Sequence, residues 1–161
     1  MKIMSSAAFL IVISFVPTKA QKLNAIEGHI QIDTVITTPK TKDQAFNSTK
    51  GWLIQNLVDY KNLAQGEVPG ELISTKAIVK YWAAMGTKQA YIQDINITFT
   101  EGQIKIKLDN LKTYVEGQKG WTADKFFTDS EGKLKPKYDK WYSDVELKFK
   151  ELSSGIGKAA Q

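Results

Sequence analysis

His29, the only histidine in the chain, is one candidate for a catalytic or metal-binding residue. It lies in residues 26–36, IEGHIQIDTVI, where apolar and polar residues alternate as they do in a half-buried strand. Glu27 is two residues away, about 6.6 Å along such a strand and on the same face, so the two side chains could share a metal ion. Two ligands are too few for a metal site, and we favour an exposed strand histidine.

Four carboxylates near the C-terminus form a second candidate, because a carboxylate pair can act as acid and base on a glycosidic bond. They are Asp139, Asp144, Glu146 and Glu151. Lysines are interspersed among them, which is typical of a solvated helix face. The alternative hypothesis is therefore an enzyme acting on cell-envelope glycans. It requires two carboxylates that converge in a pocket about 5 to 10 Å apart.

Other catalytic motifs are missing from the sequence. The chain has no cysteine, so it can form neither a disulfide nor a thiolate zinc site. It also contains no G-x-S-x-G, P-loop or G-x-G-x-x-G motif. We predict no catalytic residue, no metal ligand and no cofactor, and we lean towards a protein that is not an enzyme.

Aromatic side chains are the remaining candidates for a binding surface. Trp121, Phe126 and Phe127 lie in a segment without clear periodicity, and Trp82 ends a predicted strand. The favoured interpretation is that the first three seal the edge of the core under the last helix. The alternative is that all four contact a partner, because aromatic side chains in loops are common binding anchors.

The elements that position these residues follow from hydrophobic periodicity. Two-residue alternation predicts strands at 26–36 and 71–82 and a hairpin at 95–111 that turns at Glu101-Gly102. Residues 61–70 are predicted to be a loop, and residues 115–135 are left unassigned. Helical spacing predicts one helix that begins at a capping box, Thr41-x-x-Gln44, and carries Trp52 towards the hairpin. It predicts a second helix at about 136–154, before Gly155.

The resulting order, β-α-β-β-β-α, predicts an α+β domain with a mainly antiparallel sheet and two helices packed on one face. Residues 1–20 predict a cleaved signal peptide, with Lys2, an apolar stretch at 7–16, and Ala20 before the cut. Residues 21–161 then form a single domain with no membrane span. We expect export to the periplasm or the extracellular space.

The Ala20-Gln21 cleavage site, the helix around Ala45 to Leu53 and the hairpin resemble a family of bacterial exported proteins, domain of unknown function 4468. The resemblance covers about residues 26–114 and implies a fold like that of the TATA-box-binding protein (TBP-like). The family supplies no known catalytic residue. The chain departs from the family at Lys105 and Lys107, where an arginine-bearing strand is expected.

A TBP-like fold raises the hypothesis of DNA binding through the free face of the sheet. The predicted free face is polar, and its only large aromatic residue is Trp82. The chain has 22 lysines, no arginine and a formal net charge of +5. Because sequence readout relies on arginine and on intercalating apolar wedges, we predict no nucleic-acid partner. The favoured function is a non-catalytic exported domain that binds an envelope protein or a small envelope ligand.

Overall fold

The protein, represented by a computed structural model, is described for residues 22–82, 87–114 and 120–161. The predicted signal peptide, residues 1–20, lies outside these ranges. The described strands form one antiparallel sheet in the order β1-β2-β6-β5-β4-β3. They are β1 (Asn24–Ile26), β2 (His29–Thr37), β3 (Ala64–Val68), β4 (Leu72–Trp82), β5 (Lys88–Thr100) and β6 (Gln103–Thr113).

Four α-helices accompany the sheet: α1 (Lys42–Asn56), α2 (Tyr60–Leu63), α3 (Ala123–Phe127) and α4 (Asp139–Ala159). The two long helices, α1 and α4, pack on one face of the sheet, and their buried residues share a single hydrophobic core with the strands. The core centres on Ile73, Ile95, Ile97, Ile104, Ile106 and Leu108, all of them fully buried. The predicted α+β class and the one-sided packing are therefore confirmed.

Two elements form as the sequence predicted. Thr41 accepts a hydrogen bond from the backbone of Gln44 while the Gln44 side chain accepts one from the Thr41 backbone, so the capping box begins α1. The hairpin of β5 and β6 pairs Ile97 with Ile106 and turns at residues 101–102. In both cases the sequence pattern that predicts the element is formed by residues close along the chain. The element could therefore be predicted without knowledge of the tertiary packing.

The strand predicted at 26–36 is interrupted at its start. Glu27 and Gly28 have positive φ angles of 52° and 79°, and Ile26 pairs with His29 across them. This is a two-residue hairpin turn, which requires left-handed backbone at both central positions. Residues on either side therefore belong to two strands, β1 and β2. The prediction of one continuous strand was wrong because Gly28 also fitted the alternation.

The last helix is longer than predicted, since α4 runs through Gly155 and ends at Ala159 rather than at 154. Gly155 is needed for close packing: a Cβ atom there would lie 2.2 Å from Cζ2 of Trp52. Trp52 is half-buried and sets the approach of α1 to α4. The sequence predicted that the helix ends before Gly155, because glycine commonly follows the end of a helix. In the structure the helix continues through Gly155, which packs against the Trp52 indole.

The segment predicted as a loop at 61–70 contains most of α2 and all of β3. Strand β3 pairs with Leu72 to Thr75 at the edge of the sheet. Its side chains are mostly exposed, so no apolar alternation marks it. Glu67 connects it to both neighbouring helices, accepting hydrogen bonds from Lys50 Nζ at 2.6 Å and from the Tyr60 hydroxyl at 2.8 Å.

Candidate functional site

On the free face of the sheet, which the helices do not cover, charged and amide side chains pair with one another. Lys105 pairs with Asp33 at 3.3 Å, and Lys107 pairs with Asp109 at 2.8 Å. Ser74 donates a hydrogen bond to Asn96 at 2.8 Å. Lys105 and Lys107 therefore have carboxylate partners, and this part of the face has little free positive charge.

A groove of about 530 Å³ opens on this face and contains His29. The partner of His29 is Asp124 of α3, whose Oδ2 lies 3.1 Å from the imidazole Nδ1. Asp124 Oδ1 accepts the backbone N–H of Ile30 at 2.8 Å, which fixes the carboxylate. Such a pair orients an imidazole. No Ser, Thr, Cys or Tyr is among the residues that line the groove, so the pair has no nucleophile to activate there.

Two further carboxylates face each other in the same groove. Asp94 of β5 and Asp109 of β6 are direct cross-strand partners. Side chains in this relation have Cβ atoms about 4.5–5.5 Å apart, and like charges there repel. Each is compensated: Asn110 donates to Asp94 at 2.7 Å, and Lys107 pairs with Asp109. Sequence reasoning missed this pair because the predicted hairpin began at residue 95, although a turn at residues 101–102 places position 94 opposite position 109.

The carboxylates of the last helix bind backbone groups. Asp144 accepts the N–H of Trp82 at 2.8 Å, and Glu146 accepts the N–H of Leu23 at 2.8 Å. Glu151 pairs with Lys148 on the helix surface. Asp144 and Glu146 therefore attach α4 to the backbone near the ends of the sheet, whereas Glu151 does not. Across the ranges described above, no three His, Asp or Glu side chains are placed to hold a metal ion, and no helix is long and apolar enough to cross a membrane.

Trp121 and Phe126 form an exposed aromatic pair beside α3. Their side chains are 63% and 46% exposed, and their rings meet edge to face with centroids 6.5 Å apart. Trp121 is fixed by its backbone: its carbonyl accepts the N–H of Thr113 at 2.9 Å, and its N–H donates to the Thr113 hydroxyl at 2.8 Å. Lys135 Nζ donates to the Phe126 carbonyl at 2.9 Å. We call Trp121 and Phe126 the aromatic pair.

Phe127 belongs to the core, which corrects its place among the candidate partner contacts. It is 4% exposed and stacks on Trp141 with ring centroids 3.9 Å apart. The Tyr142 hydroxyl donates to the Phe127 carbonyl, and burial raises the pKa of that hydroxyl to about 12. The proposed seal under the last helix thus applies to Phe127, whereas the aromatic pair lies outside it.

Trp82 is half-buried and shielded by two ammonium groups. Lys140 Nζ lies 4.1 Å from the centroid of its ring, and Lys88 Nζ lies 5.5 Å from it. Its backbone N–H is bound by Asp144. Among the described residues, no aromatic contact joins Trp82 to the aromatic pair. It therefore marks a separate surface at the end of β4.

Solved structures share this architecture. A DUF4468 family protein from Bacteroides ovatus superposes with a TM-score of 0.61 and 12% identity, over 85% of this chain and 89% of that one. A TBP-like protein from Parabacteroides distasonis gives a TM-score of 0.65 and 15% identity, over 84% of this chain and 95% of that one. The chain has a TBP-like fold. The likeness bears out the fold that the resemblance to domain of unknown function 4468 implied.

No protein-family model matches the chain, and no curated protein matches its sequence. At these identities the TBP-like neighbours show the architecture only, and their names state no ligand, partner or reaction. The function of this chain is therefore inferred from its own side chains. Among the described residues, the candidate binding surfaces are the free sheet face with its His29 groove, the aromatic pair, and Trp82 at the end of β4.

Proposed function

We propose that this TBP-like chain is an exported, non-catalytic domain that binds a partner protein of the cell envelope through the aromatic pair, Trp121 and Phe126. The observation that carries the proposal is the exposure of two large aromatic rings on backbone that is already fixed by hydrogen bonds. Large aromatic residues dominate the energetics of protein interfaces, and a fixed backbone lowers the entropy cost of binding.

Several features support a protein partner at this surface. The aromatic pair is flanked by Lys125 and by the Lys135 ammonium, so polar groups surround an apolar centre, as in a typical interface. The stacked Phe127 and Trp141 beneath α3 give the surface a rigid base. The rings themselves contribute little to packing, because both are largely exposed.

Export is the second part of the proposal, and it is supported by the order of charge, apolar stretch and small residue in the first 20 positions. The expected mature N-terminus is Gln21. N-terminal sequencing of protein recovered from the envelope or the medium tests this directly. A chain that still begins at Met1 in those fractions would contradict both the cleavage site and the proposed localisation.

The binding surface can be tested by site-specific photo-crosslinking in the native bacterium. One variant carries a crosslinking amino acid in place of Trp121, and the matched control carries it in place of Leu147, an exposed apolar residue of α4. We expect one defined protein product from position 121 and none from 147. Identical products from both positions, or none from either, would count against the proposed surface. A product containing glycan or lipid would replace the protein partner by a small envelope ligand.

The facing carboxylates Asp94 and Asp109 favour a second function, an enzyme acting on envelope glycans, because two carboxylates across a sugar ring are the usual catalytic groups. This function predicts hydrolysis of purified peptidoglycan by the wild-type chain and its loss in Asp94→Asn and in Asp109→Asn. No hydrolysis by wild type, or wild-type rates in both variants, would rule out this pair.

A further inference from the structure

The edge of the sheet at β4 is only partly paired. Strand β3 pairs only with Leu72 to Thr75, and it follows directly from helix α2, so among the described residues no strand pairs with Lys76 to Trp82 on this side. An unpaired edge presents a row of backbone donors and acceptors that can accept another strand. This surface is separate from the aromatic pair and does not depend on it.

The direction of the backbone groups on β4 follows from its pairing. Glu71 directs its carbonyl to Phe99 of β5, at 2.9 Å, so every second residue from Glu71 faces β5. Lys76, Ile78 and Lys80 therefore direct their backbone groups outward. Trp82 is in the same phase, and its outward N–H is bound by the Asp144 carboxylate at 2.8 Å. The Thr75 hydroxyl donates to the Lys76 carbonyl at 3.3 Å, whereas in the described part of the chain no hydrogen bond reaches the backbone of Ile78 or Lys80 on this side.

The side chains along this edge restrict which strand can pair there. On the free face of the sheet, Ile78 is 37% exposed and lies between Lys76 and Lys80. A second copy pairing antiparallel about Ile78 would place each Lys76 opposite a Lys80, and like charges in that position are destabilising. An acidic residue at each of these two positions would instead pair with lysine.

We infer that the β4 edge, from Lys76 to Lys80, accepts an extended segment of another protein in which acidic residues lie two positions on either side of an apolar residue. The incoming strand would extend the sheet beyond β4. Its apolar side chain would lie opposite Ile78, and its carboxylates opposite Lys76 and Lys80. The backbone hydrogen bonds would provide affinity, and Lys76 and Lys80 would provide specificity for a segment with correctly spaced acidic residues.

The test uses the full exported chain and a fluorescein-labelled peptide with the core Asp-Thr-Val-Thr-Asp, measured by fluorescence anisotropy. We expect saturable binding that weakens at least about tenfold in the Lys76→Glu/Lys80→Glu double variant. The matched control, Lys22→Glu/Lys150→Glu, makes the same charge change at two exposed lysines elsewhere and should keep the wild-type affinity. Thermal melts confirm that both variants are folded.

A second pair of peptides separates strand addition from simple charge attraction. N-methylation of the valine amide removes the central backbone hydrogen bond and should also weaken binding at least about tenfold. A peptide with lysine in place of both aspartates should not bind. Undiminished binding of the N-methylated peptide, equal loss in both double variants, or no saturable binding by wild type would each overturn the inference, leaving Lys76 and Lys80 only as protection of the edge against aggregation.

Discussion

At the scale of single residues, the contact between the two long helices depends on one glycine. A methyl group at Gly155 would lie within 3 Å of three atoms of the Trp52 indole. Gly155→Ala should therefore destabilise the domain by about 1–3 kcal/mol through overpacking. Gly51, in α1, is a matched control because a Cβ atom there meets nothing within 4 Å. Gly51→Ala should stabilise by about 0.5–1 kcal/mol.

Urea denaturation of the two glycine variants measures this difference, with intrinsic tryptophan fluorescence as the signal. The two variants differ from wild type by the same added methyl group, so a difference in sign isolates the packing effect from helix propensity. If Gly155→Ala were as stable as Gly51→Ala, the packing of Trp52 on α4 described above would be wrong.

Two aromatic residues near α3, Phe127 and Trp121, should differ in how much their replacement by alanine destabilises the domain. Phe127→Ala removes a buried ring stacked on Trp141 and should cost about 3–5 kcal/mol. Trp121→Ala removes a mostly exposed ring and should cost less than about 1 kcal/mol. Denaturant midpoints decide between these values. Equal losses would return Trp121 to the core and remove the support for a binding role of the aromatic pair.

At the scale of elements, Glu67 on the edge strand β3 links that strand to α1 and α2. The hydrogen bond from Lys50, and to a lesser degree that from Tyr60, lowers the pKa of Glu67 against a smaller opposing effect of burial. A carboxyl with a lowered pKa in the folded state contributes stability above its ordinary value of 4.5. That stability is lost as pH falls below 4.5 and through the folded pKa.

The Glu67→Gln variant tests this linkage. Its unfolding midpoint should be lower than that of wild type at pH 7, and the two midpoints should converge as the pH is lowered past 4.5. Thermal unfolding followed by circular dichroism at several pH values provides the measurement. A difference that stays constant down to pH 2.5 would show that Glu67 acts through packing and not through its charge.

Elements with a local signal could be predicted from sequence, and those defined by packing could not. The capping box at Thr41 and the alternating hairpin are local. Strand β3 is exposed at the sheet edge, so its residues carry no apolar period, and α4 passes through Gly155 because of a contact with a distant helix. The groove was missed for the same reason, since Asp124 reaches His29 from α3, 95 residues later.

At the scale of the whole molecule, the distribution of charge predicts no affinity for duplex DNA. Lys105 and Lys107 on the free sheet face are paired with Asp33 and Asp109, and the chain has no arginine. Neutralising phosphates with Lys105 and Lys107 would require breaking these pairs, so these two lysines contribute little counterion release. Anisotropy titration with a labelled duplex at 0.15 M salt should show no binding. Submicromolar, salt-dependent affinity would contradict the account of this face.

We propose above all that the aromatic pair, Trp121 and Phe126, is a surface for a partner protein. The most direct measurement is the affinity of the crosslinked partner for wild type, Trp121→Ala/Phe126→Ala and the control Leu147→Ala. Because truncating an interface anchor costs about 2 kcal/mol or more, the double variant should bind at least about a hundredfold more weakly, while the control binds as wild type. Wild-type affinity in a folded Trp121→Ala/Phe126→Ala protein would contradict the claim.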